Sequence, residues 1–420
     1  VIVRLPYGRG ALPVDLRGLR CHPLEPTAPR AGTDAAELAV AALDHPIAGP
    51  PLTQLASGRR RVTLLVPDAT RKVELPAVLP VIGERLTAAG VPTAGITVLV
   101  ACGTHPPAPA GELAALLGPL PDGVTVVQHD ARDEASLVVA GTLPSGLTVR
   151  LHRALLQADL VVAVSTLAHH YFAGFTGGPK LVFPGVAGYE EIQRNHARVL
   201  DLDHDPPRRH PGCEPGRVAG NPVAEEIAAA AALRPPDVAL AMIRGRDGRP
   251  VWMGAGPLDA VMAQGTALLR QWYEVTAPRF ERLVVAAGGY PSDHTLIQAH
   301  KALDAACRFA SPGAEVLFAA ACDGGPGSPA MEPFLADPTP EAILARLGQR
   351  YVQYGHTTLR LVEKTARYRV AAVTQLPEEL VRRLGMLPLG DPQRLLDGWR
   401  DAAPGAVVGV MVGAPVYPPA

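Results

Sequence analysis

An α/β architecture, with two lobes each built on a mostly parallel sheet, is what this sequence predicts. Three observations predict it. Short apolar runs that read as buried strands alternate with longer stretches of helical character. Several of these runs stop abruptly in segments rich in Gly, Pro and polar residues, where open sheets present their loops. The alternation begins again after a long helical stretch at 258–275, so one domain is expected over 1–275 and a second over 276–420.

The elements follow in order. Arg61–Val66 reads as a strand and is followed by Pro67-Asp-Ala-Thr-Arg71 and a helix over 76–89. A second strand at Ile96–Ala101 runs into Cys102-Gly-Thr-His105-Pro-Pro107, then a helix at 111–117. Strands are expected at 124–127 and 158–164, a helix bearing His196 at 189–200, a helix at 223–233 and a strand at 238–242. Residues 201–220, DLDHDPPRRHPGCEPGRVAG, break the pattern and read as a surface loop or lid with His204 and His210 in solvent. The second lobe opens with a strand at 283–287, the loop Gly288-Gly-Tyr-Pro-Ser-Asp293 and a helix over 294–310. Further strands are expected at 315–320, 369–373 and 406–411.

Composition excludes several classes. The 420 residues carry a formal net charge of -1, which offers no electrostatic footprint for nucleic acid or an anionic membrane. The short basic run Arg59–Arg61 reads as a solvated strand end. No apolar run approaches the roughly 18 residues of a membrane span. Val1-Ile-Val-Arg-Leu-Pro-Tyr7 has neither the charged start nor the long apolar core of a signal peptide, so a cytoplasmic location is expected. The five cysteines are scattered without a CxxC pair, which speaks against a disulfide framework and a thiolate zinc site.

Chemistry-bearing residues fall just past predicted strand ends. In Pro67–Arg71, Asp68 and Thr70 can cap a helix and Arg71 can grip a carboxylate or phosphate through two parallel hydrogen bonds. The same residues also read as a capped helix with a surface arginine. His105 is placed for general acid–base work, or for packing at the sheet edge. The densest stretch is His169-His170-Tyr-Phe-Ala-Gly-Phe-Thr-Gly177-Gly178-Pro179-Lys180. Adjacent histidines in extended chain point to opposite faces, so one of the two is expected to face a site. Lys180 can neutralise an anion or act as a nucleophile. Gln298 and Lys301 share one helical face and suit a small carboxylate, or with His294 and His300 they form a solvated face. A metal site made by His105, His170 and His196 is the competing reading, and would make the protein a metal-dependent hydrolase or lyase.

Taken together, PDATR at 67–71, GTH at 103–105, HHYFAGFTGGPKLVFPG at 169–185, Asn195-His196, Gly220-Asn221-Pro222, AGGYPSD at 287–293 and the Gln298/Lys301 pair resemble the nickel-pincer lactate racemase family. The likeness runs over nearly the whole chain. It implies an isomerase that inverts C2 of a 2-hydroxy acid, lactate or a larger relative, by reversible hydride transfer through a bound 2-keto acid. It also implies an active site in the cleft between the lobes, the second lobe closing over the substrate. The implied cofactor is a nickel-pincer nucleotide, pyridinium-3,5-bisthiocarboxylic acid mononucleotide nickel, linked covalently through Lys180. His196 would ligate the nickel. Asp68, Ala69, Thr70, Arg71, Gln298 and Lys301 would hold cofactor or substrate, and His105 and His170 would be the acid–base pair. Enzymes that make the cofactor would be needed as partners for maturation. Two positions depart from the pattern of the lactate-specific members. Ile297 stands where they carry Tyr, and no Trp occurs between Trp272 and Trp399. The resemblance therefore bears more on the core chemistry than on the substrate.

Overall fold

The computed structural model describes residues 2–30, 32–71 and 73–419. The chain forms two compact units. One comprises Ala28–Val199 and His210–Arg270; the other comprises the N-terminal residues to Thr27, Leu200–Arg209 and the chain from Gln271 onward.

The unit containing Ala28–Val199 is built on a six-stranded sheet. In spatial order its strands are Pro250–Gly256, Val238–Arg244, Leu160–Thr166, Val62–Pro67, Ile96–Ala101 and Thr125–Gln128. All pairings are parallel except that of Pro250–Gly256, which folds back antiparallel along one edge. Every residue of Val62–Pro67 is buried, as a central parallel strand requires when helices cover both faces. Leu64, Val66, Val98, Val100 and Val162 pack with Leu75, Val78, Leu79, Ile82 and Leu86 of the helix Leu75–Ala88. Full burial of one such side chain stabilises the fold by roughly 1.5–3 kcal/mol.

The order of this sheet fixes where a ligand belongs. From Val62–Pro67 the chain moves outward on one side to Ile96–Ala101 and Thr125–Gln128, then returns to the other side for Leu160–Thr166 and Val238–Arg244. The reversal falls between Val62–Pro67 and Leu160–Thr166. Open α/β sheets bind ligands outside the carboxyl ends of the strands at such a point. Pro67 and Ala101 lie side by side in register, so the loops carrying Asp68 and His105 leave the sheet at the same level.

The other unit has its own six-stranded parallel sheet, ordered Leu387–Pro388, Arg369–Val373, Ala310–Ala319, Phe280–Ala286, Val407–Val412 and Arg20–Pro23. The last pairing changes the division expected at residue 275. Arg20 N–H donates to Ala406 O at 2.9 Å and Leu24 N–H to Val410 O at 2.8 Å. The preceding hairpin, Ile2–Tyr7 with Gly10–Asp15, packs Leu5, Val14 and Leu16 against Val284, Leu317 and Trp399. The N-terminal residues therefore belong with the C-terminal half, because they cover the free edge of Val407–Val412. Residues 200–209 go with the same unit as a small antiparallel pair, Leu200–Asp201 with Arg208–Arg209, and Arg209 donates to Glu363 at 2.6 Å.

The segment expected as one loop over 201–220 is thus divided, and its second half is fastened down. Asn221 Nδ2 donates to Phe172 O at 2.9 Å and to Arg217 O at 3.0 Å, while its Oδ1 accepts from Ala224 N–H and caps the helix Pro222–Ala231. Cys213 is buried beside it and His210 is half-buried. Among the described residues no helix is long and apolar enough to cross a membrane.

Candidate active site

Asp68 and His105 form the first element of the site. His105 Nδ1 lies 2.5 Å from Asp68 Oδ2. Thr70 supports the same carboxylate, donating to Oδ1 from its backbone N–H at 3.1 Å and its hydroxyl at 2.6 Å. Burial works to raise the Asp68 pKa, but the bond to His105, the charge of His105, the Thr70 hydroxyl and Arg71 outweigh it and hold the carboxyl below its usual range. Asp68 is therefore an anion at neutral pH, and an anion can only accept. The proton between them sits on His105 Nδ1, which leaves the Nε2 lone pair available. Ala69–Arg71 is a single 3-10 turn with Ala69 and Thr70 exposed and Arg71 half-buried.

The second element is the stretch carrying His170 and Lys180. His169 and His170 pair antiparallel with Phe175 and Gly174 across a tight hairpin. His170 is buried while His169 is half-buried, as the alternation of side chains in extended chain requires. The backbone N–H of Ala173 donates to His170 Nδ1 at 3.1 Å, and that of Phe172 lies at 3.5 Å from the same nitrogen. Beyond the hairpin, Gly178 takes φ +54°, and a Cβ there would run into Met262 Sδ. The turn Gly178–Leu181 then presents Lys180. Gly185, where a Cβ would strike the Leu181 carbonyl oxygen, accepts from Gly103 N–H at 2.9 Å and so ties this loop to the His105 loop.

Lys180 and His196 meet around Phe172. Lys180 Nζ lies 5.6 Å from the centre of the Phe172 ring, and the His196 ring packs edge-on at 5.3 Å between centroids. Burial, with the nearby charge of Arg71, pushes the Lys180 amine down to about 7. His196 is buried in the helix Tyr189–Ala197, and burial together with Lys180 pushes its ring down to about 3. His196 Nδ1 has no hydrogen-bond partner. A buried polar atom without a partner costs free energy, so a buried, neutral imidazole nitrogen here is suited to a ligand bond. Arg150 holds the first turn of this helix through Glu191 and also pairs with Glu134. Near its end, Asn195 Nδ2 donates to Glu226 at 3.0 Å and Val223 O at 3.2 Å.

His105, His170 and His196 do not make the three-ligand metal site considered from the sequence. Among the described residues no three His, Cys, Asp or Glu side chains gather as metal ligands. His105 Nδ1 faces Asp68, and His170 Nδ1 accepts from the backbone N–H of Ala173. Lys180 also lines a cavity of about 850 Å³ walled mainly by Ile227, Ala228, Leu258, Met262 and Ala263, with Arg270 at its margin. None of the three histidines lines it.

Gln298 and Lys301 lie in the other unit, on the helix Leu296–Ala306, where Lys301 Nζ donates to Gln298 Oε1 at 2.6 Å. His300 on the same helix corrects the expectation of a solvated face. It is buried, with its ring nitrogen Nδ1 2.7 Å from Ile297 O, and burial pushes its pKa down to about 3. His294 keeps a partly exposed place opposite Asp323 at 2.9 Å. In the loop before this helix, buried Asp293 accepts from Gly8 N–H at 2.8 Å and Ala321 N–H at 3.0 Å. Phe172 and Asn221 lie in motifs noted from the sequence but were given no role there, and the Arg150–Glu191 pair was not noted. Of these, only Asn221 carried a signal, its position before Pro222 at a helix start.

The geometry defines a two-unit α/β protein with an Asp–His pair, a second buried histidine, a lysine of depressed basicity and a buried imidazole with an unsatisfied Nδ1 in one unit. The profile described as the lactate racemase N-terminal domain matches residues 7–205. The chain is 29% identical to a lactate racemase of Lactiplantibacillus plantarum over 70% of this chain and 68% of that one. It is 26% identical to a lactate racemase of Thermoanaerobacterium thermosaccharolyticum over 77% and 75%. The lactate racemase apoprotein structure from the latter organism shares the fold, with a TM-score of 0.87 at 23% identity over 99% of both chains. A structure from Thermotoga maritima matches at a TM-score of 0.64 and 16% identity over 92% of this chain and 99% of that one. The chain is thus similar to lactate racemases, in sequence over its N-terminal part and in fold throughout.

Proposed function

We propose that this protein is an isomerase that inverts the C2 centre of a 2-hydroxy acid, lactate or a larger relative, in the cytoplasm. The observation that carries the reading is the grouping of an oriented Asp68–His105 pair with Lys180 and His196 in one unit of a lactate racemase-like fold. The α-hydrogen of a hydroxy acid is only weakly acidic, so the hydroxyl proton and the C2 hydride leave more readily as a pair than a bare α-proton does. A nickel-pincer nucleotide supplies a reversible hydride acceptor for this when bound. The residues present fit such a group. His196 offers a buried Nδ1 without a partner, and Lys180 offers an amine with a substantial neutral fraction near pH 7 for a covalent link. Arg71 supplies a guanidinium for a carboxylate or phosphate.

The chain's own part in catalysis is proton handling and orientation. Asp68 fixes the His105 ring and stabilises the imidazolium formed when Nε2 takes the hydroxyl proton, as the carboxylate of a catalytic triad does. His170 is the second group at the substrate oxygen. Gln298 and Lys301 are assigned to the cofactor or to the substrate carboxylate. Enzymes that build the cofactor are partners in maturation. A chiral assay over a panel of 2-hydroxy acids tests the proposal, comparing protein co-produced with cofactor-building enzymes against protein produced without them. Inversion in the first sample alone is expected. A nickel-containing adduct on the protein with no inversion of any acid, including polyhydroxylated ones, would sink the reading.

A further inference from the structure

The two histidines assigned to acid–base work are held by different hydrogen-bond partners. His105 Nδ1 faces the Asp68 carboxylate at 2.5 Å, an acceptor, so this nitrogen carries a proton. His170 Nδ1 faces the backbone N–H of Ala173 at 3.1 Å, a donor, with that of Phe172 at 3.5 Å. A nitrogen that accepts a hydrogen bond carries no proton, so in neutral His170 the proton sits on Nε2. The bond the other nitrogen makes decides which tautomer a histidine adopts. We propose that the resting protein holds its two histidines in opposite tautomers, with His105 a proton acceptor at Nε2, His170 a hydrogen-bond donor at Nε2, and the Ala173 N–H as the positioning group for His170.

The consequence is a site loaded in one sense. When the substrate hydroxyl ionises toward His105, its O–H bond breaks and a bond to Nε2 forms. The resulting imidazolium keeps its Nδ1–H on Asp68, and the bound cofactor would supply the acceptor for the C2 hydride. His170 meanwhile donates through Nε2–H to substrate oxygen. It can return a proton to that oxygen without becoming an imidazolate only after Nδ1 has taken one up, which costs it the Ala173 hydrogen bond. A neutral histidine can serve as an electrophilic donor in this way when its surroundings oppose protonation. The assignment deepens the racemase reading. Which direction of reaction it favours depends on that reading; which nitrogen carries the proton does not.

The experiment is nitrogen NMR on the full chain with ring-15N histidine, at a pH high enough for both rings to be neutral. Signals are assigned by their loss in His105→Gln and His170→Gln. The expected result is a pyrrole-like Nδ1 and pyridine-like Nε2 for His105, and the reverse for His170. Asp68→Asn is expected to move the His105 proton toward Nε2 and leave His170 unchanged, and Ala173→Pro, which removes the N–H, to release His170 into a tautomer mixture. If the proline variant does not fold, the unsubstituted protein still decides. A His170 proton on Nδ1, rapid averaging between its tautomers, or the same pattern in both rings would overturn the proposal. The chiral assay reads the racemase function separately, so the two can fail independently.

Discussion

Lys180 is half-buried and Lys364 buried, and the contrast between them separates a reactive lysine from a structural one. Lys364 lies on the helix Gln353–Arg367, where its ammonium pairs with Asp304 and donates to Arg360 O at 2.8 Å. Burial lowers its pKa, but the Asp304 carboxylate works against that loss. Lys180 has no carboxylate among its described partners; its charged neighbour is Arg71, and its pKa falls to about 7. Burial makes an amine nucleophilic only where no counter-ion restores the charged form. Lys180 meets that condition and Lys364 does not.

The largest expected effect comes from removing the reactive lysine. In protein matured with the cofactor-building enzymes, Lys180→Ala is expected to abolish inversion and to leave no covalent adduct on the intact chain by mass spectrometry. Full activity with an adduct still present would transfer the role to another residue and collapse the comparison. Asp68→Asn comes next. An amide can donate to His105 Nδ1 and turn the wrong nitrogen toward the substrate, so kcat should fall by about 10²- to 10⁴-fold with the fold intact. Unchanged kcat with normal cofactor loading would remove the Asp68–His105 pair from the chemistry.

The structural lysine is tested through its anion. Asp304 is buried and accepts from Arg360 Nη2 at 2.8 and 3.0 Å as well as pairing with Lys364. Burial would raise its pKa, but Arg360, Lys364 and Arg308 hold the carboxyl well below its usual range. A carboxyl whose folded pKa is depressed contributes stability above its unfolded value, and that contribution is lost as pH falls below about 4. Asp304→Ala strands buried cations and should cost about 3–5 kcal/mol, read from denaturant unfolding at neutral pH. A loss below about 1 kcal/mol would show that the cluster is solvated and that Lys364 is not held by its counter-ion.

The two lysines also show how far a sequence can be read. Lys180 stood out because three small or rigid residues precede it after a buried strand, a local pattern. Lys364 did not, because its partner is 60 residues away on another helix and nothing local announces it. The same rule runs through the fold. Ile96–Ala101 and Arg369–Val373 lie where their apolar runs place them, whereas Arg20–Pro23, a four-residue edge strand containing Cys, His and Pro, is recognisable only beside Val407–Val412. In the site, the residue types past the strand ends were legible. The Asp68–His105 bond spans 37 residues and the Ala173 N–H is a backbone group common to nearly every residue, so neither leaves a mark in the sequence.

The smallest expected effect is the sharpest test of the contrast, because the two lysines should change stability in opposite directions. The folded pKa of Lys180 is about 7 against an ordinary 10.5. Between these values the unfolded chain binds more protons at this site, so stability rises with pH across that window; below about 7 both states are protonated and the full cost of burying an ammonium remains. Lys180→Met removes that cost and should stabilise the cofactor-free protein at pH about 6 by on the order of 1–3 kcal/mol, the gain fading as pH approaches the ordinary lysine value. Lys364→Met removes a cation from Asp304 and should destabilise it across the same range. Thermal melts of both variants at two pH values decide the matter. A Lys180→Met protein less stable than its parent at pH about 6 would mean that the ammonium is satisfied where it stands, and that its neighbours, rather than its isolation, set its chemistry.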